Sequence, residues 1–473
     1  MHETLRPSTM HETLRPSTMH ETLRPSTQHE DIVQMKTVLV VAYHFPPGGG
    51  PGVQRVLKHI TYLHEAGWRP IVLTVKDGDF PARDESLLAK IPSSVKVVRV
   101  PIFEPYKYYR RFMGSSGGAI DVNVNKSGAQ RRGFKARLAE LVRATMFIPD
   151  ARIGWLRSAV REGVRLVREE HVDAIYTSSP PYTCALIGRN IKRRTGLRWV
   201  AGFRDPWTGF LTTPDRWWLP SKIDKALERS VFSEADAVEC AWEGIIDDAM
   251  NKFPSLDRSK FHHVPNGYDS SDFPSAGAHP RTHADRFTIT YTGSMYGRRN
   301  PATFLAALDL LAEQARLTPD DVHLRFVGRF GDEVHEMLSA SQFAQSMEIV
   351  SYVPHETSIA MLMASDASLL IVDDAKESAE IVPGKVYEYL GVGKPIIALT
   401  PRNSAIERLV GETRAGMCAP QDDIAAIAEI VGTYVARWKQ GVAIVNPDAH
   451  EIAKYERREA ALQLGSILSD LVA

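Results

Sequence analysis

From Lys36 onward, short runs of β-branched residues alternate with longer segments whose apolar residues recur every three or four positions. That alternation constrains the fold more than any other feature. Buried strands separated by helices need crossover connections, and so form mostly parallel sheets covered on both faces. Strands are predicted at 37–42, 70–75, 95–100, 172–177, 198–203, 235–239 and 262–264, with helical patterns such as 53–66 and 159–170 between them. A turn-rich stretch, 266–280, then interrupts the pattern, which restarts with strands at 287–292, 323–327, 348–351, 367–372 and 395–399. The economical reading is an α/β chain of two doubly wound, Rossmann-like units. The expected divisions are a tail 1–34, a first domain 35–275, a second domain 276–445 and a terminal helix 446–473.

The tail opens with three copies of MHETLRPST over 1–27. It has no apolar core of a secretory signal. One leucine per nine residues cannot bury a core either, so disorder is expected there. The segment 113–133, rich in Gly, Ser and Asn, is too long for an ordinary connection. After it, Phe134, Leu138, Leu141, Val142 and Met146 can share one helix face, ringed by Arg131, Arg132, Lys135, Arg137 and Arg143. Such a helix either faces the core with a solvated basic rim or rests on an anionic membrane surface.

Charge is balanced, with 57 Lys and Arg against 57 Asp and Glu, which argues against a nucleic-acid coat. The balance is local fiction, however. Residues 101–170 hold 14 basic and 7 acidic side chains, whereas 276–445 hold 15 and 21. The three cysteines, Cys184, Cys240 and Cys418, are far apart and without a CxxC pair, so they read as scattered buried thiols. No apolar run is long enough for a spanning helix. A cytoplasmic protein is expected, with peripheral attachment to the inner face of the plasma membrane as the extension of the basic-helix reading.

In open α/β sheets, ligands bind beyond the carboxyl ends of the strands. The first such end carries Phe45-Pro-Pro-Gly-Gly-Gly-Pro-Gly, placing Gly48, Gly49, Gly50 and Gly52 on a turn that opens a helix. The turn either cradles an anion or is simply tight. A dinucleotide fingerprint fails because position 53 is Val53, and the P-loop spelling is absent. Arg204 and Asp205 end another strand, either as a structural ion pair or facing substrate. In the second half, Thr292-Gly-Ser-Met-Tyr-Gly-Arg-Arg puts Gly293, Arg298 and Arg299 on a strand-to-helix loop. Glu380-Ile-Val-Pro-Gly-Lys-Val-Tyr-Glu388 then sets Lys385 in the first turn of a helix behind Pro383. A helix start with a lysine attracts diphosphate, and nearby carboxylates accept sugar hydroxyls. The same residues also fit a capping acid and a surface helix pair. Asp373 and Asp374 read as solvated loop, and no metal-ligand cluster is evident.

In order along the chain, the Gly-rich loop, Ser178-Ser-Pro-Pro181, Arg204-Asp-Pro-Trp207, Val264-Pro-Asn-Gly-Tyr-Asp269 and the E-x7-E spacing of Glu380 and Glu388 followed by Gly393-Lys-Pro resemble retaining GT-B glycosyltransferases of family four. The resemblance implies two domains facing across a cleft, with the last helix returning to the first domain. By that resemblance Glu380 contacts the donor sugar, Glu388 holds the ribose and Arg299 meets the diphosphate. Lys385, argued from the helix start, is a further candidate for that charge, and readout of the nucleotide is expected to rest on backbone contacts around Tyr352 and Val353. The glycine loop approaches donor phosphates and acceptor, and Arg204 with Asp205 stands where many relatives carry a His-containing motif. Two departures, Ser294 and Ile381-Val-Pro383, remove phosphate donors and add weight to Arg298, Arg299 and Lys385. The implied reaction moves sugar, without a metal or cofactor, from a nucleotide sugar to a glycan or lipid-linked acceptor. Bacterial cell-surface polysaccharide or glycolipid synthesis is the implied setting. The rivals are an epimerase of the same fold and a nucleotide-sugar-binding assembly protein without turnover.

Overall fold

The structure, a computed structural model, describes residues 35–80, 83–103, 144–145, 147–210, 213–214, 216–274, 283–373 and 379–473. The repeat tail, the stretch 113–133, most of the basic helix 131–146, Asp374 and the division at 275 lie outside the described residues. Residues 35–473 form one compact unit.

Two sheets organise that unit, and every pairing in both is parallel. The first holds β1 (Lys36–Ala42), β2 (Trp68–Val75), β3 (Lys96–Val100), β4 (Ala174–Ser179), β5 (Arg198–Phe203), β6 (Ala237–Cys240) and β7 (Phe261–His263), in the order β3-β2-β1-β4-β5-β6-β7. The second holds β8 (Phe287–Thr292), β9 (Val322–Val327), β10 (Met347–Val350), β11 (Ala367–Ile371), β12 (Ile396–Leu399) and β13 (Gly416–Ala419), in the order β10-β9-β8-β11-β12-β13. Both orders run outward from the first strand and then reverse, which leaves a crevice at the carboxyl ends of β1 and β4, and of β8 and β11. This is the expected fold of two Rossmann-like halves.

Alternate residues of each strand serve opposite faces. Leu39 and Val41 enter one core with Trp155, Trp199 and Phe203, whereas Val38 and Val40 enter another with Val56, Ile60 and Leu464. The second sheet is likewise covered on both faces, by Phe304 and Tyr434 on one and Leu390 and Ile406 on the other.

Three details differ from expectation. The first predicted helix, 53–66, begins two residues earlier as Pro51–Tyr62 and tightens into a 3-10 turn at Leu63–Ala66. The terminal helix breaks in two, Ala449–Ala453 and Arg457–Leu471, because the chain between them pairs with a distant segment. There Tyr268 N–H donates to Tyr455 O (3.0 Å) and Arg457 N–H to Tyr268 O (2.7 Å). Cys418 is half-buried rather than buried, though all three thiols are free. Helix Arg457–Leu471 packs on the first half. Gly465 there leaves room for Ala66, whose Cβ would stand 2.3 Å from a Cβ on Gly465. Its carbonyl also accepts from Trp68 Nε1 at 3.2 Å.

Candidate active site

The crevice of the second half is built from two abutting turns and a helix start. Gly293 directly follows β8 and Gly328 directly follows β9, both with positive φ. Gly293 N–H donates to Val327 O (2.8 Å) and Met295 N–H to Arg329 O (3.0 Å), so the two turns are clasped. A Cβ on Gly328 would lie 1.9 Å from Gly293 O, which only glycine avoids. Above them, Pro383 caps helix Gly384–Val392 and puts Lys385 in its first turn. The Lys385 ammonium stands over Gly293, where a Cβ would come within 2.9 Å of Nζ. It donates to Tyr291 OH (2.8 Å) and lies 4.1 Å from that ring's centre. Burial, helped by nearby Arg299, pushes the Lys385 ammonium well below its ordinary pKa, and Glu388 only partly offsets this. Among the described residues no carboxylate forms an ion pair with Lys385 or Arg299, and Arg299 Nε is buried with no hydrogen-bond partner. Half-buried, unneutralised cations beside open glycine turns suit a polyanionic ligand.

On the rim of this crevice, Tyr352 is exposed and the Arg329 guanidinium lies 5.0 Å from its ring centre. Val353 follows, half-buried. Glu388 accepts from His355 Nε2 at 2.8 Å, and that bond raises the His355 pKa above its ordinary value.

The first half treats its cations differently. Arg204 donates to Gly52 O (3.1 Å) and Ser178 Oγ (3.4 Å), and its guanidinium fills the space a Cβ on Gly52 would need (2.7 Å). It therefore ties β5 to the glycine loop. It makes no ion pair with Asp205 among the described residues, so the two are not the structural pair that the sequence allowed. Asp205 and His44 instead line a cavity of about 280 Å³ with Asp150, Arg152, Tyr182 and Arg216. Burial raises the Asp205 pKa, against the pull of Arg204. Burial also lowers that of His44 to about 3, so its imidazole is neutral. Within the glycine loop, Gly48 N–H is spent on Phe45 O (2.9 Å), whereas Gly50 is exposed at φ 101. Pro51 at the helix start brings no N–H, leaving fewer donors for an anion than the spelling suggests.

The halves meet around a second cavity of about 260 Å³, lined by Trp242 and His263 from one side and Glu380, Tyr387, Arg408 and Tyr455 from the other. Glu380 is half-exposed there and pairs with Arg408 at 2.6 Å. Nearby, the crossover segment is pinned to the first half. Arg55 donates to Pro265 O (3.0 Å), Asn266 Oδ1 (2.9 Å) and Val264 O (2.8 Å) and forms a buried ion pair with Glu239. His59 (3.2 Å) and Tyr176 (2.8 Å) complete the shell around Glu239.

Residues 286–436 match the family described as Glycosyl transferases group 1, and residues 123–272 match Glycosyltransferase Family 4. The chain is a GT-B glycosyltransferase. Sucrose-phosphate synthase from Thermosynechococcus elongatus has the same fold at 13% identity and a TM-score of 0.56, covering 92% of this chain and 99% of its own. A TarM variant from S. aureus, crystallised with Fondaparinux, alpha-GlcNAc-glycerol and UDP, aligns at 10% identity and a TM-score of 0.50, covering 93% and 100%. A putative UDP-N-acetylglucosamine 2-epimerase from Listeria monocytogenes aligns at 11% and 0.50, covering 91% and 95%. At such identities these three speak for fold alone. No curated protein matches the chain in sequence.

In this glycosyltransferase, Gly293, Arg299, Lys385 and Glu388 gather in one crevice. Arg298 is exposed on the same loop, Glu380 lines the cavity between the halves, and Asp205 lines the first-half cavity. Sequence reading passed over His44, Arg329 and His355. The first two lie two residues beyond the ends of β1 and β9, close to the strand-end signal that singled out Gly293. Among the described residues, no group of three His, Cys, Asp or Glu gathers to hold a metal ion, and no helix is long and apolar enough to cross a membrane.

Proposed function

We propose that the chain is a retaining glycosyltransferase that moves a sugar from a nucleotide-sugar donor seated on the second half to a glycan or lipid-linked acceptor seated on the first. The observation that carries this is the half-buried Lys385 ammonium over Gly293, with Arg299 beside it and, among the described residues, no carboxylate to neutralise either. Departure of a nucleoside diphosphate builds negative charge on its leaving oxygen, and preorganised cations stabilise that charge without reorganising. Charge at the anomeric carbon is oxocarbenium-like. Glu388 accepts a ribose hydroxyl while His355 orients its carboxylate. Glu380 faces the sugar, exchanging its bond to Arg408 for one to substrate as the halves close. The acceptor hydroxyl enters from the cavity of Asp205 and His44, on the leaving-group face, and the departing diphosphate takes its proton.

No metal is assigned a role in this scheme. Cell-surface polysaccharide or glycolipid assembly is the setting in which such an acceptor would be met. A thermal-shift screen of UDP-, GDP- and dTDP-sugars tests donor binding, since a ligand held only by the native state raises its stability. Nucleoside diphosphate released only when an acceptor is added supports transfer, and an epimeric nucleotide sugar formed without net diphosphate release supports the epimerase. Glu380→Ala abolishes transfer in this scheme while leaving the melting temperature unchanged. Undiminished turnover by that variant would remove Glu380 from the site.

A further inference from the structure

Four of the twelve exposed large apolar side chains among the described residues fall within seven positions: Trp217, Trp218, Leu219 and Ile223. Trp218 is 66% exposed, more than any of them but Phe103 and Tyr352. They sit at the start of helix Trp218–Glu234, whose charges are sorted by face. Its acids Asp224 and Glu228 point inward, Asp224 accepting from Trp207 Nε1 (2.9 Å) and Arg216 (2.8 Å), and Glu228 pairing with Lys252 at 3.4 Å. Its exposed face from Trp218 to Arg229 carries only cations, Lys222, Lys225 and Arg229. None of the three has a carboxylate partner among the described residues, although Lys222 leans 5.6 Å from the Trp218 ring centre. On the same side of the sheet, Arg157, Arg161, Asn190 and Arg194 rim an open depression, and among the described residues these arginines form no ion pair with a carboxylate either.

We infer that this helix face, with Trp217, docks on an anionic lipid bilayer. Tryptophan places an apolar ring and a polar N–H at the level of lipid headgroups, and lysine stems run along apolar surface while the ammonium stays with phosphate. Cations near such a surface are each drawn to it. A second copy of this chain is the poorer occupant. A two-fold contact through the patch would set Lys222, Lys225 and Arg229 against the same three cations with no acid between. A nucleic acid would meet the charges but leave Leu219 and Ile223 without an apolar phase. The placement has a consequence for the proposed reaction, although it does not rest on it. Thr213, Pro214 and Arg216 line the cavity of Asp205 and His44, so the bilayer would lie beside the proposed acceptor entrance.

The test is flotation of the full chain with vesicles of equimolar phosphatidylglycerol and phosphatidylcholine, against phosphatidylcholine alone, read without donor or acceptor. Transfer and docking thus fail or stand separately. The full chain floats with the anionic vesicles and scarcely with the neutral ones. Each of Lys222→Gln, Lys225→Gln and Arg229→Gln lowers partitioning about fivefold. Trp218→Ser with Ile223→Ser abolishes flotation at an unchanged melting temperature. Bilayers with brominated acyl chains quench emission of the wild type and not of Trp217→Phe with Trp218→Phe. A chain that stays out of anionic vesicles overturns the inference, as does flotation that all these variants retain. Self-association lost in Trp218→Ser, or oligonucleotide binding without vesicle binding, overturns it in favour of those partners.

Discussion

The two halves share a topology but handle the cations at their strand ends in opposite ways. In the first half, Arg55 is matched by Glu239 and backbone carbonyls, and Arg204 is spent on Gly52 and Ser178. In the second, among the described residues, Lys385 donates to a tyrosine hydroxyl, and neither it nor Arg299 has a carboxylate partner. A cation already satisfied holds the protein together. One left unsatisfied at a strand end holds something else, because burial without a partner is costly unless a ligand repays it. The difference separates scaffold from site more sharply than residue type does, since all four side chains are basic and close to a crevice.

The largest effect should come from breaking the matched side. Glu239→Ala strands Arg55 in the interior and should cost about 3–5 kcal/mol in chemical denaturation. The same pair sets an acid limit. The Arg55 guanidinium and its neighbours hold Glu239 down to about 2 against burial, from an ordinary 4.5. Its stabilisation is therefore complete above pH 4.5 and fades as the pH falls toward 2, and a Glu239→Gln variant should flatten that part of an acid titration. Next is the unmatched side. Lys385→Met should lower turnover by about 10²–10³-fold, the loss typical of one oxyanion-stabilising group. Its melting temperature without ligand should hold or rise, because an uncompensated charge leaves the interior. A Lys385→Met protein that melts early yet still binds nucleotide would break the comparison.

Smaller effects sharpen it at the junction. Gly267→Ala places a Cβ 2.1 Å from Tyr455 O and should destabilise by about 1–3 kcal/mol, measured by urea unfolding. The His355–Glu388 pair is half-exposed and should contribute only about 0.2–1 kcal/mol. The Glu388 bond raises the His355 pKa from its ordinary 6.5. That contribution is present below pH 6.5 and is lost as the pH rises through the raised value, which His355→Gln should remove from a pH–stability profile.

Much of the fold could be read from residue patterns, because a strand covered on both faces is apolar along most of its length. The predicted 198–203 and 287–292 coincide with β5 and β8. β13 escaped because Gly416-Met-Cys-Ala419 has no β-branched residue and owes its conformation to pairing with β12 at the sheet edge. The break before Arg457 escaped for a similar reason, since its partner Tyr268 lies far away in the chain. At the site, strand-end position exposed Arg299, Lys385 and Asp205 as candidates. It could not reveal which cations lack partners, because that depends on contacts between separate loops. Nor could it separate Trp217 and Trp218 from core tryptophans. Trp199 and Trp207 look no different in sequence and are fully buried.

The chain crosses between the halves twice, and the two crossings are bonded to each other: Tyr268 to Tyr455 and Arg457, and Gly267 O to Arg457 Nε at 2.7 Å. Two fastened pins define an axle, whereas a single linker is a swivel. A closure of the second half onto the first that keeps these contacts would have to turn about the line through them, since twisting or sliding would shear them. Lys385 would then travel a fixed arc relative to Asp205, and aligning the reacting groups reduces to a single angle of closure.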